Sequence, residues 1–230
     1  MIVSPRLRLL GIPLVLGLLA LLWFYRDGNQ RQVSEVRLVF ERLAAARNAP
    51  GAEAEDGGWG ALLGALDTAS SEVKDDYVRG HVVSIRGALE KRRATLAALL
   101  QAKEQLESAP LNIWALDGEY DRAEFDQSMT LQSAYCEAGQ NDATAARAVM
   151  SALNSLAELD PETLPTVRAQ YADWEAPIES TRRFCAACLE MVALLREQWG
   201  NWRWDAEGMA VAFDDPRLDE RFRQLNAAVN

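Results

Sequence analysis

The chain has 230 residues with 34 acidic and 24 basic side chains, which gives a formal net charge of −10. This acidic balance disfavours binding to nucleic acid or to anionic lipid headgroups, since both are densely negative. A basic protein is the kind of partner that such a surface would attract. After an N-terminal segment, the chain is long enough for a domain of about 200 residues with its own core.

The N-terminal segment is the clearest feature of the sequence. Residues 7–25 are almost unbroken apolar sequence, with Arg6 and Arg8 at the start and Arg26 after the end. A helix of this length crosses about 30 Å of hydrocarbon. A cleaved signal peptide would have a shorter apolar run and a small-x-small cleavage site, whereas this run ends in Leu-Leu-Trp-Phe-Tyr. Residues 1–27 are therefore predicted to be an uncleaved signal anchor that forms one transmembrane helix.

The orientation of this anchor follows from its flanking charges. Arg6 and Arg8 in the short N-terminal head predict a cytoplasmic N-terminus, because positive residues tend to stay on that side. The sequence contains no Asn-x-Ser/Thr sequon, which favours a bacterial periplasm over a secretory lumen. The expected location is the bacterial inner membrane, with a single span and a periplasmic C-terminal domain.

The sequence after the anchor follows helical periodicity. It predicts an all-α fold in which residues 28–200 form an elongated antiparallel helical bundle. The first helix is expected at 30–47 and is followed by a Gly-, Ala- and acid-rich loop at 48–60. A short apolar turn of helix is expected near 59–66.

The second long helix is expected at 71–107, with an apolar heptad seam typical of a coiled coil. Gly80 and Gly87 lie seven residues apart beside this seam and predict close packing against another helix. A third helix is expected at 119–137. Gly139 then reads as its C-terminal stop, because glycine is common just after a helix end.

The fourth and fifth helices are each predicted from an acidic N-cap. Asp142 is expected to cap the fourth, and Asp160 followed by Pro161 gives the clearest helix start in the chain. The apolar seam of the fifth helix continues to Trp199 without a change of register. Pro177 lies inside that seam and could kink or break the helix, but because the register continues we expect one kinked helix of nearly forty residues.

Residues 201–230 predict a different structure, a small appendage packed on the bundle. Apolar and polar residues alternate over 202–204 and over 209–213, with a turn between them, which is typical of a β-hairpin. Asp215 followed by Pro216 then predicts a last short helix.

Three cysteines are the feature that most resembles a chemical site. Cys185 and Cys188 form a CxxC pair inside a helical seam, where a small apolar residue belongs. Leu189 follows the pair, so covalent haem attachment has no support, and a zinc site could add only Cys136 and His81. Buried thiols and a disulfide from Cys136 to Cys185 or Cys188 are both open interpretations. Metal binding or redox chemistry is the minor alternative.

No motif indicates catalysis or a cofactor. The chain has no Gly-x-Ser-x-Gly, phosphate-binding or dinucleotide-binding sequence. An acidic cluster of Glu119, Asp121, Glu124 and Asp126 fits the positive end of a helix dipole and lacks the loop of an EF-hand. We expect no enzyme activity and no cofactor or metal.

Trp199, Trp202 and Trp204 are the predicted partner-binding residues. Three indoles within six residues can anchor a protein partner, although they could instead pack over the end of the bundle. The expected function is a membrane-anchored periplasmic interaction module, as an accessory, scaffold, inhibitor or immunity-type subunit of an envelope complex. The alternative is a periplasmic bundle that senses a small ligand, which would need a separate signalling partner because the head before the span is short.

Overall fold

The computed structural model describes residues 28–48, 55–109, 122–205 and 210–229. The predicted signal anchor at 1–27 lies outside these ranges and stays a prediction. Across the ranges that are described, no helix has both the length and the apolar character needed to cross a membrane.

Most of the described residues are helical, and a two-stranded antiparallel hairpin lies near the C-terminus. The predicted helical bundle and C-terminal hairpin are confirmed at this level. In chain order the elements are α1 (28–47), α2 (Glu55–Glu72), α3 (Asp76–Glu107), α4 (Arg122–Ala157), α5 (Thr163–Glu197), β1 (Trp202–Asp205), β2 (Ala210–Phe213) and α6 (Pro216–Val229).

The chain divides into two compact units. The first unit comprises Met1–Arg86 with Leu153–Val167, and the second comprises Gly87–Ala152 with Arg168–Asn230. Three helices, α3, α4 and α5, each contribute residues to both units. The predicted boundary between a bundle and an appendage, after residue 200, falls inside the second unit.

The largest departure from the predicted helix bounds is α2. The sequence predicted a loop to Gly60 and a short apolar turn, whereas one helix spans Glu55–Glu72 and buries Leu66 and Ala69. The segment contains four glycines, each of which disfavours a helix by about 1 kcal/mol relative to alanine, so burial of its apolar side chains rather than intrinsic propensity accounts for the helix. The prediction of a loop at 48–60 is therefore wrong for the part from Glu55 onward.

The start of α3 is set by a capping side chain. The helix begins at Asp76 rather than at the predicted Ser71. Oδ1 of Asp75 accepts hydrogen bonds from the backbone N–H groups of Tyr77 at 2.8 Å and Val78 at 3.1 Å. These bonds satisfy two N–H groups that have no partner within the helix, which is the role of an N-cap residue.

A buried carboxylate of α1 holds the turn before α3. The Glu35 side chain is 8% exposed, and its two oxygens accept hydrogen bonds from the backbone N–H groups of Lys74 at 3.2 Å and Asp75 at 2.9 Å. Because a buried carboxylate is costly without donors, these bonds account for its tolerance in the core. They also fix α1 against the α2–α3 connection.

A second carboxylate fixes α1 against the start of α5. Asp160, predicted as an N-cap, is 1% exposed and accepts hydrogen bonds from the Glu162 N–H at 3.2 Å and the Thr163 hydroxyl at 2.5 Å. Arg37 of α1 donates from Nε to Asp160 Oδ2 at 2.8 Å and from Nη2 to Glu162 Oε2 at 2.6 Å. The hydrogen bond from Arg37 lowers the pKa of Asp160 from 3.8 to about 2. The capping prediction is confirmed, and Arg37 is its unforeseen partner.

The predicted third and fourth helices are one helix, α4. The prediction that Gly139 stops a helix is wrong, because α4 runs unbroken from Arg122 to Ala157. A Cβ atom on Gly139 would lie 2.7 Å from Sγ of Cys185 in α5. Glycine is therefore present here because α4 and α5 approach closely. Asp142, the predicted cap of a fourth helix, instead accepts a hydrogen bond from the Thr95 hydroxyl at 3.2 Å.

Glycine and proline residues inside the long helices test two further predictions. A Cβ atom on Gly80 or Gly87 would meet nothing within 4 Å among the described residues, so the close packing predicted for these glycines is not found there. Pro177 lies inside α5, and the helix continues through it from Thr163 to Glu197. A break at Pro177 is therefore excluded.

Candidate interaction surface on the second unit

The C-terminal hairpin places its tryptophans on one face. Trp202 pairs with Phe213 and Trp204 pairs with Val211 across the two strands. Trp202 and Trp204 are half-buried, whereas the alternating residues Arg203 and Asp205 are exposed. This is the alternation expected of a hairpin with one face on a core.

Three aromatic side chains, Phe125, Trp199 and Trp202, form what we call the aromatic cluster. The ring centroid of the buried Phe125 on α4 lies 4.3 Å from that of Trp199 and 5.6 Å from that of Trp202. The two indoles meet edge to face with centroids 5.7 Å apart. Such tilted and T-shaped contacts are the favourable geometries for aromatic pairs.

The polar group of Trp202 already has a partner within the chain. Its Nε1–H donates a hydrogen bond to the backbone carbonyl of Leu195 at 3.0 Å. Leu195 lies in the last turns of α5, where carbonyl groups lose their helical partners. The bond therefore satisfies the helix end and fixes the orientation of the indole ring.

Cations lie over and beside the aromatic cluster. The guanidinium carbon of Arg122 is 5.1 Å from the ring centroid of Trp199, within the range of a cation–π interaction. Arg122 also donates to Asp126 at 2.8 Å. Arg196 donates to the Asp126 carbonyl at 3.0 Å and to the Thr130 hydroxyl at 2.6 Å. Asp126, from the predicted acidic cluster, thus balances local positive charge.

The strand β2 and helix α6 complete the apolar support of the cluster. The rings of Phe213 and Phe222 lie 5.6 Å apart. Asp219 of α6 accepts a hydrogen bond from the Phe213 N–H at 3.3 Å and one from Arg223, and the Arg223 bond lowers the pKa of Asp219. The predicted cap of α6 is confirmed, because Asp215 accepts the Arg217 N–H at 2.9 Å.

The structure thus brings two of the three predicted partner-binding residues into direct contact. Trp199 and Trp202 touch each other, and Trp204 packs on the same apolar core. All three are half-buried rather than fully exposed or fully enclosed. Sequence reasoning missed Phe125 and Arg122 as their neighbours; the apolar periodicity of α4 marked a buried face but not what it meets.

The three cysteines also meet within the second unit. Cys136 of α4 and Cys185 and Cys188 of α5 form one buried group, lined by Tyr135, Phe184 and Leu189. All three are free thiols in this structure. Within the part of the chain that is described, no group of three or more His, Cys, Asp or Glu side chains is arranged to hold a metal ion. The predicted disulfide stays a prediction.

His81 lies on α3 with its ring edge-on to Tyr77, the two centroids being 4.9 Å apart. Glu119 and Asp121 of the acidic cluster lie outside the described residues. The chain matches no family model, no curated protein and no solved structure.

Proposed function

We propose that the chain is a protein-interaction module of an envelope complex, in the role of an accessory, scaffold, inhibitor or immunity-type subunit. In this proposal residues 7–25 anchor it in the bacterial inner membrane and the helical part lies in the periplasm. The observation that carries the proposal is the group of half-buried indoles, Trp199 and Trp202 of the aromatic cluster with Trp204 beside them. Large aromatic side chains at the edge of a core are the typical anchors of protein interfaces.

The rigidity of this surface supports the proposal. Trp199 is held by Phe125 and by Arg122, and Trp202 is held by its hydrogen bond to the Leu195 carbonyl. A side chain that is already ordered loses little conformational entropy when a partner binds, and this saves about 0.5–1.5 kcal/mol for each such residue. The indoles therefore present fixed, partly exposed apolar area without the cost of ordering it.

Charge indicates the chemistry of the partner. The net charge of −10 would speed the approach of a basic protein over long range. Close to the tryptophans, Arg122 and Arg196 both pair with the one carboxylate of Asp126, which offsets part of their positive charge. We therefore propose a basic partner that contacts this surface through apolar groups.

Site-specific photo-cross-linking tests this proposal in the native membrane. Trp204 is the position of choice for p-benzoylphenylalanine, because truncating Trp199 or Trp202 would disturb the packing on Phe125. The matched control is Tyr77, an aromatic residue of α3 that is 60% exposed. We expect a discrete protein adduct from position 204 and none from position 77. Retention of the chain in the pellet after an alkaline carbonate wash checks the anchor in the same membranes.

A second comparison identifies the adduct as a partner. The cross-linked protein should co-purify with the wild-type chain and with Y77A, and its recovery should fall at least tenfold with W204A, which corresponds to about 1.4 kcal/mol of binding free energy. Far-UV circular dichroism must show equal helicity for the two variants. An absence of protein adducts at position 204, or equal recovery with W204A, would refute the interaction surface. A ligand screen by thermal shift would then test the small-ligand sensor.

A further inference from the structure

The three cysteines are independent of the proposed interaction surface, and their arrangement is unusual for structural thiols. Cys136 lies on α4, and Cys185 and Cys188 lie one helical turn apart on α5. All three side chains are almost completely buried, in one cluster. Residues three apart on a helix share a face, so both sulfur atoms of α5 are directed toward the same neighbour.

Cys136 packs against Cys185 and Cys188 in one buried cluster. Nε2 of Gln132 is 3.7 Å from Sγ of Cys136. Gly139, one turn further along α4, provides the space in which Sγ of Cys185 lies, because a Cβ atom there would be only 2.7 Å away. Two alternative sulfur partners therefore face one central sulfur.

We propose that these residues form an exchangeable disulfide, in which Cys136 pairs with either Cys185 or Cys188 and the remaining thiol can displace the paired one. The proposal does not rest on the function proposed above. It differs from a fixed disulfide between two helices, because Cys136 can form its one bond with either of two cysteines. Whichever pair forms, a competing thiol is left beside it.

The chemistry balances with a disulfide oxidant of the glutathione class. Cys136 and Cys185 lose two electrons and two protons to form their S–S bond, and the oxidant RSSR takes these up to become two RSH. In the exchange step the thiolate of Cys188 attacks Sγ of Cys136 and forms a new S–S bond. Cys185 leaves as a thiolate and takes up a proton. The exchange involves no net oxidation or reduction.

The acidity of the thiols supports the same assignment of roles. Hydrogen bonding to Cys185 and Cys188 raises the pKa of Cys136 above its ordinary value. The same contact with Cys136 lowers the pKa of Cys185 and of Cys188. The thiolate is the attacking species, and a thiol of lower pKa is also the better leaving group. Cys185 and Cys188 thus suit attack and departure, while Cys136 suits the central position.

Disulfide mapping of the full chain tests this proposal. The chain is incubated with oxidised glutathione at pH 8, both folded and during refolding from denaturant, then quenched with acid and analysed by non-reducing peptide mass spectrometry. The wild-type chain should contain both the Cys136–Cys185 and the Cys136–Cys188 linkage, each with the loss of two hydrogens. C185A should retain only the second linkage, C188A only the first, and C136A neither.

If C136A does not fold, C185A and C188A still test the proposal. A fixed disulfide would give one linkage in the wild-type chain and no linkage in the variant that lacks that partner. This result would overturn the proposal. Three free thiols in both the folded and the refolding samples would overturn it as well, as would a Cys185–Cys188 linkage alone.

Discussion

Each of the two units has a buried apolar core, and the units differ in the chemistry that accompanies that core. In the first unit, α1 is fixed by buried carboxylates: Glu35 receives two backbone N–H groups, and Asp160 receives Arg37. In the second unit, rings and sulfur atoms pack around Phe125 and Cys136. Buried charge depends on every partner being present and ionised, whereas apolar packing depends on shape and volume. The two regions should therefore fail under different perturbations.

The largest expected effect is in the second unit, with Phe125→Ala. This side chain is fully buried and touches both indoles of the aromatic cluster, so its removal leaves a cavity that the neighbouring rings do not readily fill. We expect a loss of about 3–5 kcal/mol in the free energy of unfolding. Urea unfolding at pH 7, followed by circular dichroism and tryptophan fluorescence, measures this loss.

Leu100→Ala is the matched control, since Leu100 is a large apolar residue on a helix of the same unit and is 42% exposed. It should cost about 1 kcal/mol or less. Equal losses for the two variants would mean that the aromatic cluster is not what stabilises the second unit.

The second-largest loss of stability is expected in the first unit, from Asp160→Asn. Asparagine remains a good N-cap, so the substitution mainly removes the charge that faces Arg37. We expect a loss of about 1–3 kcal/mol, below the range for fully buried pairs because the Arg37 side chain is 44% exposed. Glu162→Gln, at the 81% exposed partner of the same arginine, should change stability by less than about 0.5 kcal/mol.

The pH dependence sharpens this comparison. Arg37 lowers the pKa of Asp160 from 3.8 to about 2, so the carboxylate stabilises the folded state above the higher value. That contribution is lost as the pH falls through this window, because the unfolded chain, in which this carboxyl has the higher pKa, takes up a proton before the folded chain does. The difference in unfolding free energy between the wild-type chain and D160N should therefore shrink from pH 5 toward pH 2. A constant difference over that range would show that the ion pair is not the cause.

The smallest effect tests the close approach of α4 and α5. Gly139→Ala forces a contact with Cys185, which costs about 1–3 kcal/mol and offsets a helix-propensity gain of about 1 kcal/mol. In the C185A background the same substitution should become neutral or stabilising. Gly87→Ala, which meets open space on α3, should stabilise by up to about 1 kcal/mol in both backgrounds. Thermal unfolding of the set measures the coupling, and additive effects would rule out the contact.

Local signals in the sequence predicted a large part of the fold. Apolar periodicity identified the long helices, and Asp160, Asp215 and the alternation around Trp202 gave a helix cap, the last helix and the hairpin. The errors arose where one local sequence signal is compatible with two different structures. Gly139 resembles a helix stop, but here it permits contact with another helix.

The candidate surface was only partly predictable for a related reason. The alternation at Trp202 and Trp204 showed that they share a face, and the structure places them as that pattern requires. That Phe125 and Arg122 cover the indoles depends on contacts between residues more than seventy positions apart. Periodicity reports which face of an element is buried and carries no information on which element covers it.

The order of synthesis limits when the ion pair between Arg37 and Asp160 can form. The two residues are separated by 123 positions. At about 5–20 residues per second, Asp160 is made at least about six seconds after Arg37. During that interval α1 lacks both this carboxylate and the segment Leu153–Val167 that belongs to its own unit. The unit that contains the earliest described residues therefore cannot be completed until α3 and α4 have been synthesised in full.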